Sequence, residues 1–385
     1  MPAHPLVHWT EGGRACSARW RSERGAPPPR SVVITDDRMT ADDAYGLACQ
    51  GVALLWRGDF QNARQMLIAL ASRADRKPRK PKRSAASSAL ESPAVAFNLQ
   101  RQARSQRART LGMLLIQLDE DYGIALRRAP DLRRACTQAY GPGEGTSLVS
   151  LRELLGVIGA HEWRAKGIDI PAIGGRIHPH YGVFAPTRSE YVDLVAKAPL
   201  PADVTSIKAA FDIGTGTGVL AAVLARRGIR RVVATDQDPR ALACARENLE
   251  RLGLAEQVEV VQADLFPEGR AALVVCNPPW VPARPSSPLE HGIYDPESRM
   301  LLGFLRALPA HLEPGGEGWL ILSDLAEHLG LRARSELLAE FDAAGLKVVG
   351  RLDARPIHPR ASDPTDPLHA ARSAEVTSLW RLAVR

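Results

Sequence analysis

The chain has 385 residues, of which 45% are hydrophobic and 24% charged, with 50 Lys and Arg against 43 Asp and Glu. That length fits two domains, one of them able to bury a large core. Five scattered cysteines without paired spacing argue against a structural zinc and for a reducing compartment, and no apolar run reaches the roughly 18 residues of a membrane span, so a soluble, cytoplasmic protein is expected.

Residues 1–38 are rich in Pro, Arg, Gly and Ser with little periodicity, and read as a disordered tail. Met39 precedes a capped helical pattern and is a second candidate start. Helical patterns over 41–58, 60–73, 94–117, 131–139 and 148–164 predict a helical N-terminal domain over 39–165, interrupted by a basic loop at 73–93. Residues 1–150 hold nine more basic than acidic side chains, so this half carries the chain's excess charge and is the expected substrate-recognition domain. The run Arg76-Lys77-Pro78-Arg79-Lys80-Pro81-Lys82-Arg83 is either a solvated loop or a salt-sensitive attractor of phosphates.

Residues 166–190 form a connecting segment, with turn glycines at Gly174 and Gly175, a β-prone run, and then a helix start. His178, His180 and Tyr181 favour a structural role in that hairpin. From 191 onward apolar strands alternate with helical periods, the rhythm of an α/β sheet covered on both faces. Phe211-Asp212-Ile213 leads into Gly214-Thr215-Gly216-Thr217-Gly218, a strand-to-helix turn whose glycines let a ligand approach the backbone. Its spacing is G-x-G-x-G, with Val219 where a dinucleotide fingerprint would place the third glycine. The run 231–235 closes on Asp236, about 20 residues later, which suits a carboxylate gripping ribose hydroxyls. Strand 258–263 ends in Asp264, placed to accept from an adenine amine, with Leu265 and Phe266 beside the ring. Helix capping is the plainer use of both acids.

The fourth strand, 271–276, delivers Asn277-Pro278-Pro279-Trp280. An Asn oxygen and the Pro278 carbonyl can accept both hydrogens of a planar NH2 group while the Trp ring covers its flat face. A conjugated nitrogen is a poor nucleophile, and two acceptors that draw its hydrogens out of plane return its lone pair toward an electrophile. Alignment alone can supply roughly 7–11 kcal/mol to such a transfer. Cys276 reads as core filling, and His291, Tyr294 and Asp295 as solvated loop residues beside the substrate opening.

These motifs resemble the class I S-adenosylmethionine-dependent methyltransferases of the small-domain, Asn-Pro-Pro-aromatic type, which include protein-glutamine N5 and adenine N6 enzymes. The resemblance runs from about residue 170 to the C-terminus. It implies an α/β fold, a doubly wound seven-stranded sheet of order 3-2-1-4-5-7-6, as a methyltransferase domain over 191–385 behind the helical N-terminal domain. It implies S-adenosyl-L-methionine held by Asp212, Gly214, Thr215, Gly216, Gly218, Asp236, Gln237, Asp264 and Leu265, with Asn277, Pro278, Pro279 and Trp280 at the methyl acceptor and no metal. Pro186, Arg188 and Glu190 resemble the Pro-Arg-x-x-Glu type segment of the glutamine enzymes, with the spacing shortened by one. The implied acceptor is a glutamine in a protein of release-factor or ribosomal type. The alternative is an adenine N6 or guanine N2 in rRNA, tRNA or DNA, for which the basic half would provide nucleic-acid binding. A small-molecule acceptor and an inactive binding module are the remaining readings.

Overall fold

The computed structural model describes residues 5–76, 92–201, 207–285, 287–356 and 363–385. The chain divides into two compact units, Met1–Glu91 with Asn98–Glu162, and Ser92–Phe97 with Trp163–Arg385.

The first part of the chain runs β1 (Leu6–Glu11), β2 (Arg14–Arg21), β3 (Ser31–Thr35), α1 (Ala41–Cys49), β4 (Val52–Trp56), α2 (Phe60–Ala74), α3 (Pro93–Leu111), β5 (Leu114–Leu118), α4 (Arg133–Tyr140), β6 (Ser147–Ser150) and α5 (Leu151–Lys166). Its six strands form one sheet in the order β1-β2-β6-β5-β4-β3. This corrects two sequence expectations. From residue 5 on, the expected disordered tail over 1–38 is folded, because Gly12 and Gly13, at φ +56° and +77°, make the two-residue turn that pairs Glu11 with Arg14 in a hairpin. The N-terminal domain is not purely helical either. Gly51, at φ +81°, stops α1, and the run Val52–Trp56 becomes a strand parallel to both neighbours.

A strand buried on both faces is apolar throughout, so its pattern blends into an adjacent helix. The same holds for β5, which follows Gly112 and was absorbed into the helix expected over 94–117. The edge strands β1 and β3 approach one another, so the sheet curls around Val7, Trp9, Ala18, Trp20, Ala53, Leu55, Leu115 and Leu148. Arg57, just past β4, grips Glu11 at the end of β1 through two hydrogen bonds of 2.8 and 2.7 Å. Most of the expected basic loop, residues 77–91, lies outside the described residues.

The rest of the chain contains β7 (Ile168–Ile170) and β8 (Gly175–Ile177), an antiparallel pair, then α6 (Glu190–Lys197), β9 (Ala210–Ile213), α7 (Val219–Arg226), β10 (Val232–Asp236), α8 (Pro239–Arg251), β11 (Val258–Gln262), β12 (Ala271–Cys276), α9 (Arg299–His311), β13 (Leu312–Ser323), α10 (Leu325–His328), α11 (Arg334–Ala343), β14 (Leu346–Ala354), α12 (His369–Ala374) and β15 (Thr377–Val384). The seven-stranded sheet has the order β11-β10-β9-β12-β13-β15-β14, which is 3-2-1-4-5-7-6 when its strands are numbered along the chain. Strand β15 is antiparallel to both neighbours and the other pairings are parallel.

Two cores sandwich this sheet. On one face, α6, α7 and α8 bury Val192, Leu220, Leu224 and Leu249 against Val232, Leu273 and Trp319. On the other, α9 and α11 bury Leu301, Phe304, Leu337 and Phe341 against Phe211, Val274 and Leu320. Helix α8 starts where its sequence requires: Asp238 accepts the Arg240 amide at 2.9 Å and Pro239 occupies the first turn.

Candidate functional site

The site is fixed by register. Ile213 pairs with Thr235 on one side and Cys276 on the other, so the residues that follow, Gly214, Asp236 and Asn277, emerge side by side at the carboxyl ends of β9, β10 and β12. Ligands of such sheets bind there, where the strand order reverses.

Gly214, Gly216 and Gly218 have φ of +71°, +55° and +82°, a region costly to residues with a Cβ. The turn they make is clamped by backbone hydrogen bonds from Thr215 N to Thr235 O at 2.8 Å and from Gly218 N to Thr215 O at 2.9 Å. A Cβ at Gly216 would meet nothing within 4 Å, so space is open over the turn. One at Gly214 would lie 2.4 Å from the Met300 methyl, which places the first residues of α9 over the first glycine.

The three acids have different duties. Asp212 is 1% exposed, and its Oδ2 accepts from the Thr215 hydroxyl at 2.6 Å and the Ala221 amide at 2.9 Å, bracing the turn from below. Burial pushes its carboxyl up to about 6. Asp236 is half-buried and accepts the Gly216 amide at 3.0 Å on one oxygen and the Asp238 amide at 3.0 Å on the other. Burial raises its pKa as well, and with the Gln237 amide beside those of Gly216 and Asp238 the carboxylate still has acceptor capacity left for a hydroxyl donor. Asp264 is exposed and holds Arg299 at 2.9 Å.

Leu265 adopts a positive φ of 78°, its carbonyl takes the Thr235 hydroxyl at 2.5 Å, and its side chain fits against Gly303 of α9. Phe266 stacks on Phe304 and on His311, with centroids 5.6 and 4.4 Å apart, so it serves the packing of α9. Gln237 is exposed, and its carbonyl accepts from Gln262 at 3.3 Å.

At the end of β12 the half-buried Asn277 and Trp280 are joined, with the indole Nε1–H donating to Asn277 Oδ1 at 2.8 Å. Pro278 is buried and Pro279 half-buried between them. The Arg188 guanidinium lies over the Trp280 ring, 5.5 Å from its centroid, and is bound by Glu375 at 2.8 Å. The importance of Glu375 and of Met300 had no local signal in the sequence.

The loop after the motif is organised: Val281 donates to Ile293 O at 3.2 Å, Asp295 donates to Val281 O at 2.9 Å, and Gly292 packs against Phe184. Asp295 is therefore not a solvated loop residue. It is 5% exposed and accepts the amides of Met300 at 2.9 Å and Leu301 at 3.2 Å, capping α9. Tyr294 packs edge-on against Phe97 at 6.5 Å, while His291 is exposed. His178 and His180 tie the hairpin down, through the Arg164 carbonyl and Glu247, both at 2.7 Å. Cys276 is fully buried and burial raises its thiol pKa, as core filling requires. Among the described residues no group of three or more His, Cys, Asp or Glu could hold a metal, and no helix is long and apolar enough to cross a membrane.

The family model described as methyltransferase small domain matches residues 175–342. A release factor glutamine methyltransferase from Cereibacter sphaeroides is 36% identical over 166 residues, covering 37% of this chain and 59% of that protein. A ribosomal protein L11 methyltransferase from Pelotomaculum thermopropionicum is 55% identical over 69 residues, 17% of this chain and 22% of that protein. The chain thus spans less than two thirds of the relatives it matches. A crystal structure of ribosomal protein L11 methylase from Lactobacillus delbrueckii subsp. bulgaricus gives a TM-score of 0.36 at 16% identity, over 51% of this chain and 79% of that one.

Proposed function

We infer that the protein is an S-adenosyl-L-methionine-dependent N-methyltransferase acting on the NH2 group of a protein glutamine, a reading supported by the match of residues 175–342 to the methyltransferase small domain model. The observation that carries this reading is the placement of Asn277 beside Gly214 and Asp236, at the carboxyl ends of paired strands. The residues fit the cofactor. The open space over Gly216 admits a ligand against the backbone, and Asp236 retains acceptor capacity for ribose hydroxyls. Asp264 and Leu265 would flank the adenine, and Thr215 and Gly218 shape the turn while Asp212 supports it. When bound, S-adenosyl-L-methionine supplies an electrophilic methyl group.

The chain's own residues prepare the acceptor. Asn277 Oδ1 takes one N–H hydrogen with its remaining lone pair and the Pro278 carbonyl takes the other, so the nitrogen lone pair turns out of conjugation and toward the methyl carbon. The proton that nitrogen later sheds goes to water. No strong base is needed, because alignment supplies roughly 7–11 kcal/mol.

Glutamine is favoured over a nucleobase by Arg188. A base would gain roughly 1–3 kcal/mol by stacking on Trp280, yet one face of that ring is covered by the guanidinium. The names of the two relatives point the same way, toward proteins as acceptors. The reading is tested with methyl-labelled S-adenosylmethionine and extract from cells lacking the protein. Protease should release the label as small peptides and nuclease should not. Asn277→Ala should keep cofactor affinity and abolish labelling; nuclease-released label would move the acceptor to RNA or DNA.

A further inference from the structure

We propose that Trp280 acts through Asn277 instead of stacking on the acceptor, and that Arg188, Glu375 and Ser323 form the anchor holding it there. The proposal rests on the methyltransferase reading for its kinetic consequence only. Indole Nε1–H can donate and cannot accept, so the atom it meets at 2.8 Å must be the amide oxygen of Asn277. That contact fixes which end of the carboxamide faces the acceptor and leaves the oxygen one lone pair. Two prolines separate the partners, so the backbone between them has little freedom to relax.

The indole is held in turn. Arg188 lies over its ring at 5.5 Å and binds Glu375 Oε1 at 2.8 Å, and the same oxygen accepts the Ser323 hydroxyl at 2.7 Å. Ser323 ends β13 and also accepts the Leu325 amide at 3.0 Å, which ties the anchor to the central sheet. Glu375 is 1% exposed. Glu190, 5% exposed, lies 4.0 Å from Arg188, and its Oε1 has no hydrogen-bond partner among the described residues. Arg188 therefore faces two buried carboxylates, and leaving them to reach a substrate would strand both charges. Its position makes it a positioning residue for the indole, not a ligand for the acceptor.

Trp280→Phe tests this, because it keeps a ring under Arg188 and removes only the N–H donor. Cofactor affinity by calorimetry should be unchanged, kcat should fall about 10- to 100-fold, and KM for the acceptor should stay within about twofold. If Trp280 instead stacks on the acceptor, Trp280→Phe keeps its kcat and Trp280→Leu raises KM, which overturns the proposal. A second readout needs no turnover. In protein carrying 15N-labelled tryptophan, the Trp280 indole resonance, identified by its loss in Trp280→Phe, should move in Asn277→Ala without substrate present. An unmoved resonance overturns the proposal even in an active enzyme. A moved resonance in a protein that transfers no methyl keeps the anchor and removes the functional reading.

Discussion

Asp212 accepts the Thr215 hydroxyl at 2.6 Å from beneath the glycine turn, and the same oxygen takes the Ala221 amide in the first turn of α7. Its carboxyl, pushed up to about 6 by burial, ionises near 3.8 in the unfolded chain. Between those values the folded state binds the extra proton, so this group's contribution to stability falls as pH rises from about 4 to about 6 and is level above that. Asp212→Asn retains an oxygen acceptor and removes the titration. Relative to wild type it should gain on the order of 2–3 kcal/mol between pH 4 and pH 7 in urea unfolding, on top of a constant offset. Parallel stability profiles would exclude the buried carboxyl as their source.

Gly214 and Gly216 lie two residues apart in one turn and differ in what surrounds them. Alanine at Gly216, with open space around it, should cost only the left-handed backbone penalty, about 1–2 kcal/mol. At Gly214 the new methyl would also meet the end of the flexible Met300 side chain, which can swing aside at little cost, so the loss should exceed that at Gly216 only slightly. In a Met300→Ala background the Gly214→Ala cost should drop by that small excess toward that of Gly216→Ala. A much larger cost at Gly214, relieved by Met300→Ala, would mean that Met300 does not yield.

Much of the second half of the chain was legible because β9 and β10 are short apolar runs closed by Gly214 and Asp236, and α8 carries its own cap and stop. The first half was not. Strands β4 and β5 each follow a helix after two residues, one of them a glycine, and β4 is apolar throughout and β5 at all but Gln117, so periodicity could not separate strand from helix. Gly12-Gly13 did carry a hairpin signal, outweighed by the Pro- and Arg-rich composition around it. At the site, the identities of Asn277 and Asp236 were readable from local motifs. The Arg188–Glu375 pair was not, since its members are 187 residues apart and meet only when β15 closes the sheet.

Removal of residues 1–38 tests the corrected N-terminal unit. A disordered tail could be cut at Met39 without loss. In the folded unit that cut deletes β1, β2 and β3, exposes the edge of β4, and strips Val7, Trp9, Ala18 and Trp20 from the core around Leu55 and Leu115. The truncated protein should aggregate or lose its N-terminal unfolding transition in calorimetry. Unchanged solubility and an unchanged transition would restore the tail.

Asp264 and Arg299 separate a cofactor contact from a surface ion pair. Both side chains are mostly exposed, at 65% and 71%, so their 2.9 Å contact should be worth less than about 1 kcal/mol to the fold. Arg299→Ala should leave urea stability nearly unchanged. Its effect on the cofactor differs in sign from that of its partner. If Asp264 accepts from the adenine amine, Asp264→Ala should weaken S-adenosylmethionine roughly 10- to 100-fold, about the loss of one hydrogen bond to a charged group. Arg299→Ala releases the same carboxylate from its competitor, so affinity should hold or rise, and the difference between wild type and Arg299→Ala should shrink in high salt, where the pair is screened. Equal weakening by the two variants in calorimetry would place Arg299, and not Asp264, against the cofactor.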